Sequence, residues 1–130
     1  MRKLFSWLFL ITGIVIGLGS IGHTLAVSHV HAALDKFPVD PNVSTMIYVV
    51  WYFVSACMLL FGLTLVWVWL RLRAGDTKPL FVAVLIGLFN LANGIGGMIY
   101  RHGDPFFWFF IVLGGLLLIS SYVLRNGLRE

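Results

Sequence analysis

Four stretches of the chain contain no Asp, Glu, Lys, Arg or His: Leu4–Ile21, Met46–Leu70, Leu80–Tyr100 and Phe106–Leu124. Each has at least 18 residues. A helix rising about 1.5 Å per residue needs roughly 20 residues to cross a hydrocarbon core of about 30 Å. The pattern predicts an all-α integral membrane protein with spans over about 4–26, 46–70, 79–100 and 106–125. No repeat or low-complexity linker divides the chain, so residues 1–130 read as a single four-helix membrane domain. Short connections after the second and third spans predict antiparallel neighbours and an up-down-up-down bundle.

Polar and small positions inside these runs fall on stripes. At about 100° per residue, Gly13, Gly17, Ser20, Thr24, Ser28, His31 and Asp35 share one face of the first helix. Residues 23–36 contain no Gly or Pro, so this helix is expected to pass the outer membrane surface and reach about Leu34. The second span aligns Ser44, Thr45, Tyr48, Trp51, Tyr52, Ser55 and Gly62. The third aligns Ala83, Gly87, Asn90, Gly94, Gly97 and Arg101, with Asn93 at the edge. Small and hydroxyl side chains allow close backbone approach in lipid, so these are packing faces, open equally to a second copy or a larger membrane complex. Asn42 or Ser44 is expected to cap the second helix, Asp76 or Thr77 the third, and Asp104 followed by Pro105 the fourth.

Composition agrees: 60% hydrophobic and 11% charged residues leave too few polar side chains to coat a soluble domain. The net charge of +4 comes from unequal loops. Arg2, Lys3, Arg71, Arg73, Lys78, Arg125 and Arg129 lie on one side, and only Lys36 and Arg101 on the other. The positive-inside rule then puts both termini in the cytoplasm, in a bacterial inner membrane, with the long loop Val27–Thr45 outside. The lipid bilayer is the expected partner; nucleic acid is not, since no basic stripe is interleaved with aromatics. A signal peptide is the rival reading of the first span, with Arg2-Lys3 as its basic start and Ala26-Val27-Ser28 as a loose cleavage site. The apolar run exceeds the usual stretch of about 7–15 residues and favours an anchored helix. A lone Cys57 provides neither an intramolecular disulfide nor a Cys-x-x-Cys redox pair.

All four histidines, His23, His29, His31 and His102, fall on the outer side, with Asp35, Asp40 and Asp104. On a helix His29 and His31 diverge by about 160°, which argues against a local metal clip. His31 and Asp35 are one turn apart, a spacing that allows a His–carboxylate pair. If the chain is an enzyme, His23, His31 and Asp35 are its candidate catalytic residues. His23 and His102 meet only across helices; they are the weak candidates for a metal ion or a b-type haem. The plain alternative is that histidines suit the headgroup layer and do nothing further.

A deeper group, Ser20, Thr24, Trp51, Tyr52, Ser55, Asn90 and Asn93, occupies the outer half with His23. An unsatisfied buried amide costs about 1–3 kcal/mol, so Asn90, near the midplane, needs a partner. Hydrogen bonds between helices and an outward-facing polar-aromatic cavity are the two readings. Four short spans resemble the layout of small multidrug-resistance transporters, but the acidic residue of their first helix is missing here. No core carboxylate is present for proton coupling, so the resemblance implies layout and no transport. No H-E-x-x-H, phosphate loop or Ser-His-Asp order occurs, and the pattern leans away from an enzyme. The sequence points to a small membrane protein, an accessory subunit or a binder of a hydrophobic ligand such as a lipid or quinone. The alternative is an enzyme or redox subunit at the outer leaflet, acting through His23 or His31 and Asp35; a small transporter comes third.

Overall fold

The computed structural model describes residues 2–126; Met1 and residues 127–130, Arg129 among them, lie outside the described residues. Five α-helices follow in order: α1 (Arg2–Leu25), α2 (Val27–Leu34), α3 (Pro41–Arg73), α4 (Leu80–Tyr100) and α5 (Trp108–Asn126). A 3-10 turn, Pro105–Phe107, leads into α5, and no strand occurs among the described residues. Taken as α1 with α2, α3, α4, and the turn with α5, they form four helices long and apolar enough to cross a membrane. Large apolar side chains such as Leu18, Phe53, Ile99 and Tyr122 stand exposed along them.

The first helix reaches Leu34 as the sequence predicts, but not without interruption. Ala26 N donates to Gly22 O at 3.0 Å, whereas His29 N turns back to Ala26 O, also at 3.0 Å. One turn is thus tightened to the i−3 pattern, and α2 restarts at Val27 with no side-chain cap.

The start of α3 corrects the expected cap. It is Asp40, not Asn42 or Ser44, whose carboxylate accepts from Asn42 N at 2.8 Å. Pro41 follows in the first turn, where no N–H is needed. Ser44 and Thr45 donate instead to the Pro41 carbonyl, at 3.1 and 2.8 Å. The same Asp-Pro device opens the last helix, with Asp104 accepting from Phe106 N at 3.0 Å, as expected. The preceding bend uses Gly103 at φ 90°.

At α4, neither Asp76 nor Thr77 provides the expected cap; Pro79 stands at that position with no side-chain bond. Asp76 instead holds the turn, accepting from Arg71 at 2.8 Å and from Lys78 N at 3.0 Å. Those two partners hold its carboxyl below the usual carboxylate range.

Two helix pairs dominate the packing. Along α1 and α3 the register runs Ser6–Trp69, Gly13–Leu65, Gly17–Gly62 and His23–Ser55, so residue numbers rise on one helix as they fall on the other. Along α4 and α5, Gly114 faces Gly87 and Leu91, and Gly97 faces Phe107. Contacts between α1 and α5 join the pairs, while α3 and α4 barely touch.

Of the predicted stripes, Gly13, Ser20, Ser55, Gly62, Ala83, Gly87, Asn90 and Gly94 are buried. The apolar core, however, is lopsided. Phe9, Leu65, Val68, Leu80, Leu117 and Leu124 gather toward the end that carries Arg71, Arg73 and Lys78. The opposite half, where His23, Trp51 and Asn93 lie, is the looser one.

Candidate functional site

The looser half holds a partly open cavity of about 360 Å³. Ile16 and His23 of α1 form one wall, and α3 contributes Trp51, Val54, Cys57 and Phe61. Asn90 and Asn93 of α4 face it, and Phe106, Phe107, Phe109 and Phe110 close it from the start of the last helix. A second hollow of about 500 Å³ lies in the α3–α4 seam toward the other end. Phe61 and Phe89 border both hollows, meeting edge to face with centroids 5.4 Å apart.

His23, in the last turn of α1, is tied to α3 by three contacts. Its ring stacks on Trp51 with centroids 4.0 Å apart and planes 17° apart. Trp51 Nε1 donates to the His23 carbonyl at 2.8 Å. His23 Nδ1 lies 2.9 Å from Ser55 Oγ.

Ser55 has one O–H within reach of two acceptors, the Trp51 carbonyl oxygen at 3.2 Å and, in the Nε2–H tautomer, His23 Nδ1 at 2.9 Å. In the Nδ1–H tautomer the ring donates to Ser55 instead, so the direction of the hydroxyl and the tautomer of His23 are coupled. No hydrogen bond to Nε2 exists among the described residues.

The amides are oriented by their acceptors. Asn90 Nδ2 donates to Ile86 O at 2.9 Å and Asn93 Nδ2 to Phe89 O at 2.9 Å. A carbonyl acceptor requires the NH₂ side of each amide, so both carboxamide oxygens remain available. Asn90 therefore finds its partner within its own helix, which corrects the expectation of a bond between helices. At this site the interhelical bonds come from Trp51 and Ser55.

Other expected members separate. Ser20 Oγ donates to Gly17 O at 2.6 Å and Thr24 Oγ1 to Ser20 O at 2.8 Å, so both hydroxyls serve the backbone of α1. Neither borders the cavity, and Tyr52 faces outward, half exposed. His31 does not pair with Asp35: its Nδ1 lies 2.7 Å from the Tyr48 hydroxyl, and the two rings are 4.7 Å apart. His29 and His102 are exposed, the latter on the bend after α4 with φ 50°. Among the described residues no three His, Cys, Asp or Glu side chains come together as a metal-binding group. His23 lies in the last turn of α1 and His102 on the bend after α4.

Sequence reasoning passed over Tyr48 as a site residue and did not bring Phe61, Phe89 and the Phe106–Phe110 run to the cavity. The run Phe106-Phe107-Trp108-Phe109-Phe110 was the available signal, since so dense an aromatic cluster covers more than one face of a helix.

Comparison with family models, with curated proteins and with solved structures finds no match to this chain.

Proposed function

We propose that this chain is a multi-pass inner-membrane protein whose aromatic cavity holds a small apolar ligand. In this reading the four helices cross the bilayer up-down-up-down, both termini are cytoplasmic, and the cavity lies in the outer half. The role is binding rather than catalysis.

One observation carries the reading: a partly enclosed, mainly aromatic cavity of about 360 Å³ with His23, Asn90 and Asn93 as its few polar groups. Ligand pockets typically span about 300–1,000 Å³ and combine apolar walls with a few directed polar groups. A half-formed core would be expected to collapse onto such a space unless something fills it, because interiors pack to crystal-like density. Exposed apolar faces on all four helices support the bilayer as their surroundings, and the excess of Lys and Arg on one set of loops supports the orientation.

Purification from native membranes in mild detergent, followed by mass spectrometry of extracted small molecules, tests the proposal. An apolar molecule in near-stoichiometric amount is expected, and it should be lost from Cys57→Trp, which fills the cavity from α3. Equal recovery of the same molecules from the wild type and from the filled variant would count against the site.

A further inference from the structure

We infer that the end of the bundle carrying Arg71, Arg73 and Lys78 holds a second binding site, for the phosphate headgroup of an anionic phospholipid, in the hollow between α1 and α3. This rests on the helices crossing a bilayer and is independent of the aromatic cavity.

The site is built from one pattern used twice. Lys3 and Trp7 on α1 are four residues apart, as are Trp69 and Arg73 on α3, so each cation shares a helix face with an indole. The two helices run antiparallel, and Trp69 Nε1 donates to Ser6 Oγ at 3.0 Å, which brings the two pairs level. Lys3 lies near the start of α1 and Arg73 at the end of α3, so both cations come outermost with the indoles about one turn deeper. The indole centroids are 6.0 Å apart, and the guanidinium carbon of Arg73 stands 5.1 Å over the Trp69 ring.

An open hollow of about 620 Å³ is bordered by Arg2, Lys3 and Arg73 and by the two indoles and Leu124. No Asp or Glu among the described residues borders it, and neither Lys3 nor Arg73 has an ion pair among them. Like charges gathered around one hollow repel, and an anion placed between them relieves that repulsion. A guanidinium also presents its N–H donors as a planar fork that matches two oxygens of a phosphate. The layering says which anion. A soluble one needs only the cations, whereas indoles one turn deeper beside Leu124 suit the glycerol and upper acyl chains of a lipid held by its headgroup. The other basic hollow at this end, between Lys78 and Arg125, is the weaker rival, because Lys78 shares its field with the Asp76 carboxylate.

Native mass spectrometry of the purified full chain in detergent micelles tests the inference, with phosphatidylglycerol, phosphatidylcholine and inorganic phosphate as probes. Phosphatidylglycerol is expected to bind about tenfold more tightly than phosphatidylcholine, the order set by two basic side chains at a lipid surface. In Lys3→Gln/Arg73→Gln the two affinities should become nearly equal. Lys78→Gln/Arg125→Gln removes the same charge from the same end and should keep the preference. Equal loss in the two double variants would assign the preference to net charge and overturn the site. Displacement of phosphatidylglycerol by millimolar inorganic phosphate would make the ligand a soluble anion and overturn the lipid. Equal affinity of the wild type for the two lipids overturns the inference whether or not either variant folds. The aromatic cavity is tested by a different molecule, so its reading stands or falls separately.

Discussion

Ser55 Oγ lies within hydrogen-bond reach of both the Trp51 carbonyl and His23 Nδ1, so the direction of its one O–H is coupled to the tautomer of a ring on another helix. Remove the hydroxyl and that coupling is gone. We expect ¹⁵N spectra of labelled wild type to show His23 as one tautomer, and Ser55→Ala to show a mixture. Loss of the bond between helices should also lower stability by about 0.5–1.5 kcal/mol. An unchanged imidazole spectrum in Ser55→Ala would mean that the ring is oriented by Trp51 stacking alone. His31 shows the same dependence on a partner that local spacing does not reveal. Asp35 is one turn away, yet Nδ1 goes to Tyr48 on α3. An exposed carboxylate at a helix end is well served by water, whereas a tyrosine hydroxyl at an apolar surface gains more from the contact.

Among the helices, the α1–α3 pair depends most on bare backbone. A Cβ placed on Gly62 would lie 2.6 Å from Gly17 N and 2.9 Å from Gly13 O. Those are backbone atoms with no freedom to swing away, so the helices themselves must separate. Gly62→Ala should cost about 1–3 kcal/mol, the usual range for overpacking, in unfolding by mixed detergent titration. Gly96→Ala, where a Cβ meets nothing within 4 Å, is the control and should lose nothing. Equal stability of the two variants would mean that the pair is held elsewhere.

The α3–α4 turn depends on charge instead. Arg71 and the Lys78 N–H hold the Asp76 carboxyl below its ordinary 3.8. A group whose pKa falls on folding stabilises the fold above its unfolded value and loses that contribution as pH drops through the folded one. The difference in melting temperature between wild type and Asp76→Asn should therefore be constant from pH 7 down to about 5, then shrink below 3.8. A difference that grows on acidification would contradict the assignment.

For the molecule as a whole, the four long apolar helices could be read directly from the sequence, because an uncharged run of the right length has few other uses. The start at Asp104-Pro105 was equally legible, and Asp40-Pro41 carries the same signature, obscured only by the competing polar residues Asn42 and Ser44. The buried stripe on α4 was legible too, since its small residues recur at helical spacing. What the sequence does not contain is the register between helices. That register decides that His23 meets Trp51 and Ser55, that Tyr48 reaches His31, and that the core closes at one end while a cavity stays open at the other. A helical wheel ranks faces but cannot say which residues come level on two helices, so Tyr52 and Thr24 looked as plausible for the cavity as Trp51.

Orientation is the remaining property of the whole chain, and the proposed site depends on it. Seven of the nine Lys and Arg residues lie at the termini and the α3–α4 turn, against Lys36 and Arg101 on the other loops. Translocating a basic loop is disfavoured, so the first set should remain cytoplasmic and the cavity should lie near the opposite face. Single cysteines in a Cys57→Ser background test this with a membrane-impermeant maleimide. Lys36→Cys and Arg101→Cys should label in intact spheroplasts, and Lys78→Cys only after lysis. The reverse pattern would turn the chain over and place the His23 end of the cavity toward the cytoplasm. Labelling of Lys36→Cys and Lys78→Cys from the same side would break the up-down arrangement itself, since α3 joins those two loops.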